Sequence, residues 1–273
     1  AWTPTAQEIE EWARYDHLLR PMVAYSPDAR QIWRGVLAEI EIGIGTKKIA
    51  FSLKDMANRL TLRYTATTGA QATTTVYSSA GSIAAFGTKD RLLSLSTVAA
   101  TAADNRVQTA LNQIAYPTVK QASDSGTGGG GELRVDLTFA GWYWTLDWLL
   151  TSSSSTTSTA TNTQVASLLT AYNSTNAFFH ATADLVATGL SDTEYIDPYT
   201  SYKEKLETLL SQGNSSKQAL AWGIYEGGAL TVKVWAGATP STVAYYRDAR
   251  DKTVRDPYGN IVESWDVLPD AMA

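Results

Sequence analysis

Ile32-Trp33-Arg34-Gly35-Val36-Leu37-Ala38-Glu39-Ile40-Glu41-Ile42-Gly43-Ile44-Gly45-Thr46-Lys47-Lys48-Ile49-Ala50-Phe51-Ser52-Leu53 is the stretch on which the fold turns. Ile32, Val36, Ala38, Ile40 and Ile42 fall on one parity, the period-two signature of a strand with one buried face. Glu39 and Glu41 fall on the other parity and face water. Gly43, Gly45 and Thr46 supply the backbone freedom for a turn, and residues 48–53 fold back as a second strand. Residues 54–60 read as a short helical or irregular connector, and 61–65 as a third strand. The expectation is a compact antiparallel unit that pairs and packs, with no residue in it that does chemistry.

Upstream, Thr5 followed three positions later by Glu8 fits a capping box opening a short helix. Residues 18–25 then read as a strand ended by the turn Ser26-Pro27-Asp28. Downstream, residues 66–82 are rich in Thr, Ser, Ala and Gly and read as a loop or exposed arm. Asp104 caps a helix in which Val107, Ala110, Leu111 and Ile114 repeat at helical spacing, and Pro117 stops it. Gly126 and the run 128–131 form a flexible connector, where a soft domain division is placed. Residues 133–139 alternate as a strand that leads into Gly141-Trp142-Tyr143-Trp144-Thr145-Leu146-Asp147-Trp148, read as extended. The Ser/Thr tract 151–161 is too polar to bury and reads as an exposed tip.

Two helices follow. One is capped by Thr163 with Val165, Leu168, Leu169 and Tyr172 inward. The other opens on a Ser201/Glu204 capping box, buries Leu206, Leu209 and Leu210, and ends at Gly213. Residues 221–226 and 229–236, joined by Gly227-Gly228, make the clearest hairpin. Strands at 243–249, 252–255 and 261–265 close the chain, the last pair joined by the turn 256–260. The pattern is α+β: strand-dominated antiparallel sheet or barrel units with a few inserted helices. It divides into an N-terminal β-rich domain, 1–125, with a helix near 104–116, and a second α+β domain, 126–273, ending in β-hairpins.

Composition narrows the chemistry. With 273 residues the chain supports one large or two modest domains with real cores. Only 18% of residues are charged, below the usual quarter, so Ser, Thr, Asn and Gln cover much of the surface. Such a surface suits an extracellular particle or extensive subunit contacts. The net charge of −5 argues against nonspecific nucleic-acid binding, which needs a basic footprint. The absence of Cys excludes disulfides and thiolate metal sites. No apolar run of about 18 residues predicts a membrane span, and no secretory signal is read. The opening Ala1-Trp2 fits either processing or a missing upstream segment.

Catalytic patterns are weak. His17 and His180 do not have the spacing of paired metal ligands, and no Gly-x-Ser-x-Gly elbow accompanies them. Gly128 to Gly131 lacks the Lys-Ser/Thr of a phosphate loop, so a linker is preferred. Asp147, Asp184, Asp197 and Asp266 lie near aromatics, but sugar hydrolysis needs two carboxylates about 5–10 Å apart. Trp142, Tyr143, Trp144 and Trp148 fit core packing first, and sugar stacking or a protein interface second. No catalytic, cofactor or metal residue is assigned.

Three stretches together carry a resemblance. The first runs from Ile32-Trp33-Arg34-Gly35-Val36 to Asp55-Met56-Ala57-Asn58-Arg59-Leu60-Thr61-Leu62-Arg63-Tyr64. The second is Ser82-Ile83-Ala84-Ala85-Phe86-Gly87-Thr88-Lys89-Asp90 with its amphipathic helix and Pro117. The third joins residues 141–148 to Val254-Arg255-Asp256-Pro257-Tyr258-Gly259-Asn260. This order resembles tail proteins of long-tailed bacteriophages, of the tail-tip or baseplate-hub type. Phe86-Gly87-Thr88-Lys89-Asp90 is a near match to a Tyr/Phe-Gly-x-x-Glu/Asp element that family carries before a helix.

The resemblance implies a structural subunit of the virion tail, not an enzyme. It would assemble with copies of itself, as a homo-oligomer and usually a trimer, around the genome-ejection channel. Its partners would be the tail tube, the distal tail protein and the tape-measure protein, with DNA passing unbound. The chain is shorter than many hubs and carries no lysozyme-like or peptidase domain. Candidate interface residues are Trp33, Glu39, Glu41, Trp142, Trp144 and Trp148. The alternative expectation is a carbohydrate- or receptor-binding module of a virion, with a glycoside hydrolase ranked behind it.

Overall fold

The structure, a computed structural model, describes residues 5–27, 29, 31–44, 47–123, 133–152, 154–155, 158–176, 180–193, 195–196, 198–224, 229–234, 246–248, 253–255 and 261–264. The chain separates into two compact units, Ala1–Val234 and Trp235–Ala273. That division does not coincide with the one expected at 125/126, whose glycine run lies outside the described residues.

The first unit opens with α1 (Ala6–Trp12). Thr5 and Glu8 form the expected reciprocal box: the Glu8 N–H donates to Thr5 Oγ1 at 3.3 Å, and the Thr5 N–H to Glu8 Oε2 at 2.7 Å. A 3-10 turn (Tyr15–His17) leads to β1 (Pro21–Tyr25), β2 (Gln31–Ile44), β3 (Lys47–Ser52) and β4 (Arg59–Thr65). β5 (Gln71–Thr73), β6 (Tyr77–Ser78), α2 (Ala80–Phe86), β7 (Asp90–Thr97), α3 (Ala100–Ile114) and β8 (Thr118–Ser123) follow. Next come β9 (Leu133–Gly141), a 3-10 helix (Trp142–Trp148), β10 (Ser154–Ser155), β11 (Thr159–Ala160) and α4 (Thr161–Thr175). The unit closes with β12 (His180–Leu185), β13 (Ser191–Asp192), β14 (Tyr195–Ile196), α5 (Tyr202–Ser211), β15 (Leu220–Ile224) and β16 (Ala229–Val234). The second unit holds β17 (Tyr246–Asp248), β18 (Thr253–Arg255) and β19 (Ile261–Ser264) as one antiparallel sheet. The fold is α+β and strand-rich, as the pattern indicates.

β2 is the spine. It pairs antiparallel with β1 and then β3 along one edge, and with β9 along the other. β8 pairs with β3, so β9, β2, β3 and β8 lie four abreast. Three departures from the sequence pattern stand out here. The strand after the glycine run joins the sheet of the first half. β4, expected as the third strand of this unit, leaves it for a separate sheet with β5, β6 and β7, where it pairs with β7 in parallel. Finally, β2 carries a bulge: Leu37 faces Phe139 but Glu39 faces Thr138, leaving Ala38 as the extra residue. A bulge inserts one residue and inverts the alternation beyond it. Leu37, Ile40 and Ile42 therefore share the core face, and Val36, expected with Ile40 and Ile42, lies on the opposite one. The Ala38 carbonyl still accepts from the Leu53 N–H at 3.0 Å, so the bulge leaves that group paired.

Three apolar clusters make the core. Ile9, Leu37, Ile40, Ile42, Phe51, Leu53, Met56, Phe86 and Trp148 form the one beneath the spine sheet. Ala57, Leu60, Leu62 and Tyr64 pack on Ala103, Val107, Leu111 and Ala115 of α3 and its C-terminal end in the second. Leu146, Leu149, Val165, Leu169, Tyr172, Leu206, Leu209, Leu210, Leu230 and Val232 belong to the third.

The helices start differently from expectation. α3 begins at Ala100 with Asp104 inside it, and α4 begins at Thr161 rather than after Thr163; neither has a side-chain cap. Their first turns are held by tertiary packing of Ala103, Val165 and their neighbours, not by a capping oxygen. α5 keeps half of the expected box: the Glu204 N–H donates to Ser201 Oγ at 3.1 Å, a side-chain cap, and Gly213 lies at φ 76° where the helix ends. The expected arm at 66–82 instead supplies β5, β6 and the start of α2. Nor is the Ser/Thr tract a solvated tip throughout, because Thr151 and Thr161 are buried and β10 and β11 pair with β14 and β13. β15 and β16 form the expected hairpin, though β16 also pairs in parallel with β12.

Candidate functional site

Residues from 55–64, 82–90 and 141–148, parts of the stretches that carry the resemblance, meet at one buried polar joint. α2 ends at Phe86, and Gly87 at φ 73° turns the chain into the run 87–90. Asn58, fully buried, spans that turn. Its amide donates to the Gly87 carbonyl at 2.8 Å and to Ser82 Oγ at 3.2 Å, and its Oδ1 accepts from the Lys89 N–H at 2.8 Å. Its own N–H and that of Arg59 both donate to the Lys89 carbonyl. Ser82 Oγ passes the chain on to the carbonyl of Ala115 at the end of α3. From the far side Asn176, just beyond α4, clamps Thr88: Asn176 Oδ1 accepts from the Thr88 N–H and its Nδ2 donates to the Thr88 carbonyl, both at 2.8 Å. Two asparagines thus satisfy the backbone of Thr88 and Lys89, both buried.

Lys89 projects from this loop into a box, only 8% exposed. Its Nζ donates to the carbonyls of Leu53 and, at 2.9 Å, Lys54. The rings of Trp144 and Trp148 flank the ammonium at 5.6 and 5.5 Å, a double cation–π contact. Burial pushes its pKa down to about 8, with Arg91 adding to the shift. Asp90, the next residue, holds Arg59 through two hydrogen bonds, that from Nη2 at 2.8 Å, and accepts from the Leu150 N–H at 3.0 Å. The hydrogen bond to Asp90 raises the Arg59 pKa above its ordinary value. A nucleophilic lysine needs a neutral amine with an open approach. Lys89 instead points at two carbonyls between two indoles, and its chemistry is that of a tie.

The aromatic run is a 3-10 helix, not the extended segment expected. Tyr143, Leu146 and Leu149 recur every third residue and face the third cluster, while Trp144 and Trp148 pack into the first. This short helix wedges the two cores together. Trp148 is 1% exposed, which removes it as an interface residue; Trp144 lies edge-on to it at 5.3 Å. Trp142 is half-buried with the Arg34 guanidinium 5.9 Å over its ring. Trp33 lies across Gly35 and meets Phe139 edge-on at 6.4 Å. Glu39 and Glu41 lie on the polar face of the spine sheet, where Glu39 accepts from Ser52 Oγ at 3.4 Å and Glu41 pairs with Lys48 at 2.9 Å.

The remaining candidates stay apart. His17 is buried against Trp12, with Nε2 2.8 Å from the Glu11 carbonyl, so its tautomer serves the end of α1. His180 is in β12, and no cluster of three metal-ligating side chains occurs among the described residues. Asp147 binds Ser201 and Lys203; Asp184 is in β12, and Asp197 and Asp266 lie outside the described residues. A second, half-buried contact joins Trp222 Nε1, which donates to Tyr143 Oη at 3.0 Å, and Tyr143, which donates to Glu207 at 3.4 Å. Burial pushes the Tyr143 phenol up to about 12.

Comparison with family models, with curated proteins and with solved structures found no match.

Proposed function

We propose that this chain is a structural subunit of a bacteriophage tail tip, of the baseplate-hub-like type, assembling with copies of itself and other tail proteins around the ejection channel. The observation that carries this reading is the joint. Asn58, Arg59, Lys89, Asp90 and Trp148, drawn from the three stretches that carry the resemblance, are bound to one another, to backbone and to ring faces. Residues with that use fix a framework. The polar face of the spine sheet carries Glu39, Glu41 and Asp136 beside Lys48, Lys120 and Arg134, a balance of charge that neither traps nor strongly repels a passing nucleic acid. No helix among the described residues is long and apolar enough to cross a membrane.

A carbohydrate-binding reading needs open indole faces; Trp144 and Trp148 flank Lys89, and half-buried Trp142 carries the Arg34 guanidinium over its ring. Mass spectrometry of purified virions, with immunogold labelling of the chain, tests the proposal. The expected result is label at the distal end of the tail; a chain missing from virions, or placed in the capsid, would overturn it.

A further inference from the structure

We propose that the spine sheet continues from one copy of the chain into the next by antiparallel pairing of β8 with the neighbour's β9; this rests on the assembly reading above. Among the described residues, β8 pairs only with β3 and β9 only with β2, so each presents one open edge. Neither strand contains a proline, and neither edge carries a bulge against its one partner beyond that at Ala38. Open edges of six and nine residues are templates for another strand.

The register follows from rows that cross the sheet. One row is Leu137, Ile40, Phe51 and Val119, on the core face; the next is Asp136, Glu41, Ala50 and Lys120, on the polar face. Extending the first row sets Val119 against Leu137 of the next copy. The second then sets Lys120 against that copy's Asp136, with no further adjustment. Val119 is 53% exposed, which is unusual for a valine on the core face, and this pairing covers it. Lys120 and Asp136 are 62% and 41% exposed and opposite in charge; within one copy they pair with Asp55 and Arg134, and the contact between copies joins these two ion pairs into one network.

Strand direction and hydrogen bonding agree with this register. β9, β2, β3 and β8 alternate in direction, so β8 runs antiparallel to a β9 placed beside it. In an antiparallel sheet the N–H and C=O of one residue point to the same neighbour, and bonded pairs alternate along a row. After four strands the two ends of a row have matching states: both residues point inward or both outward. The pairing between copies is head-to-tail, which closes into a ring or extends as a helix.

The chain has no cysteine, so paired substitutions report the register directly. Lys120→Cys with Asp136→Cys, oxidised at micromolar concentration, is expected to give a disulfide-linked ladder of dimers and higher species. Lys120→Cys with Arg134→Cys, and Lys120→Cys with Thr138→Cys, keep the face but slip by two residues and are expected to give several-fold less. Hydrogen exchange on the unsubstituted protein is expected to show amides of β8 and β9 gaining protection as sedimentation shows assembly. An oligomer in which the three pairs link equally or not at all, or in which the edge amides stay unprotected, overturns the edge register and leaves the assembly reading standing. A chain that stays monomeric overturns both. A strand from a different protein on these edges would leave the purified chain unlinked, and that result also overturns the proposal.

Discussion

Lys89→Met tests the joint at its most unusual group. Two effects oppose each other around the ammonium. Carbonyls of Leu53 and Lys54 and two indole faces favour the charge, while burial disfavours it, and burial wins: the pKa falls from 10.5 to about 8. At about 1.36 kcal/mol per pH unit, that drop is a penalty of about 3 kcal/mol for keeping the lysine charged in the fold at neutral pH. Between pH 8 and 10 the unfolded chain holds the proton and the folded chain releases it. The unfolded state then binds more protons, so stability from this group rises with pH and the penalty fades. Tyr143 and Tyr172, both pushed up to about 12 by burial, have the opposite effect, but only above pH 10, where the unfolded phenols ionise first. The window from pH 8 to 10 therefore isolates Lys89. Methionine removes the charge penalty and orphans the Leu53 carbonyl, a cost of about 1–3 kcal/mol. Near pH 7 the two effects nearly cancel; at pH 9.5 the variant falls below the parent by about 2 kcal/mol. Urea unfolding at both pH values measures this. Parallel pH dependences between the two values would show that burial does not lower the Lys89 pKa and would refute this reasoning.

Two further substitutions probe the framework by thermal unfolding. Gly35→Ala places a Cβ 2.2 Å from the Ala140 carbonyl oxygen and 2.4 Å from the Trp33 ring, and is expected to cost about 1–3 kcal/mol; adding Trp33→Ala should recover only part, because the carbonyl belongs to the paired strand. Asn58→Ala leaves the Gly87 carbonyl and the Lys89 N–H without their side-chain partner, and should cost about 2–5 kcal/mol; an effect under about 0.5 kcal/mol would mean the loop is held by something else.

The β2–β3 hairpin was legible because alternation and a glycine-bearing turn point to the same answer. Ala38 shows where that reading stops. An inserted residue leaves the letters alternating while the faces exchange, and only the pairing with β9 reveals it. The 3-10 helix left a signal that alternation obscured: Tyr143, Leu146 and Leu149 recur at three, whereas Trp142 and Trp144 invite a period of two. α3 and α4 start early because their first turns are stabilised by burial, which a search for capping oxygens does not register. The joint was the least legible feature. Asn58, Lys89 and Asn176 are far apart in the chain and ordinary in type, and only the fold brings their hydrogen-bonding groups together.

A buried charge in a chain this poor in charge is a costly way to hold three cores together, since apolar replacements of buried ionic groups are often neutral or stabilising. Its advantage is directional. Apolar contacts tolerate sliding, whereas two asparagine clamps, a bidentate Arg59–Asp90 pair and an ammonium aimed at two carbonyls accept one arrangement. On the proposed function that matters more than a few kcal/mol. When the edges of one subunit must meet those of the next, any error in the angle between the spine sheet and the helices beneath it repeats at every subunit around the assembly. A joint variant such as Lys89→Met, compared with its parent at neutral pH where both are equally stable, should still assemble into less uniform particles by electron microscopy. Particles as uniform as those of the parent would assign the joint to stability alone.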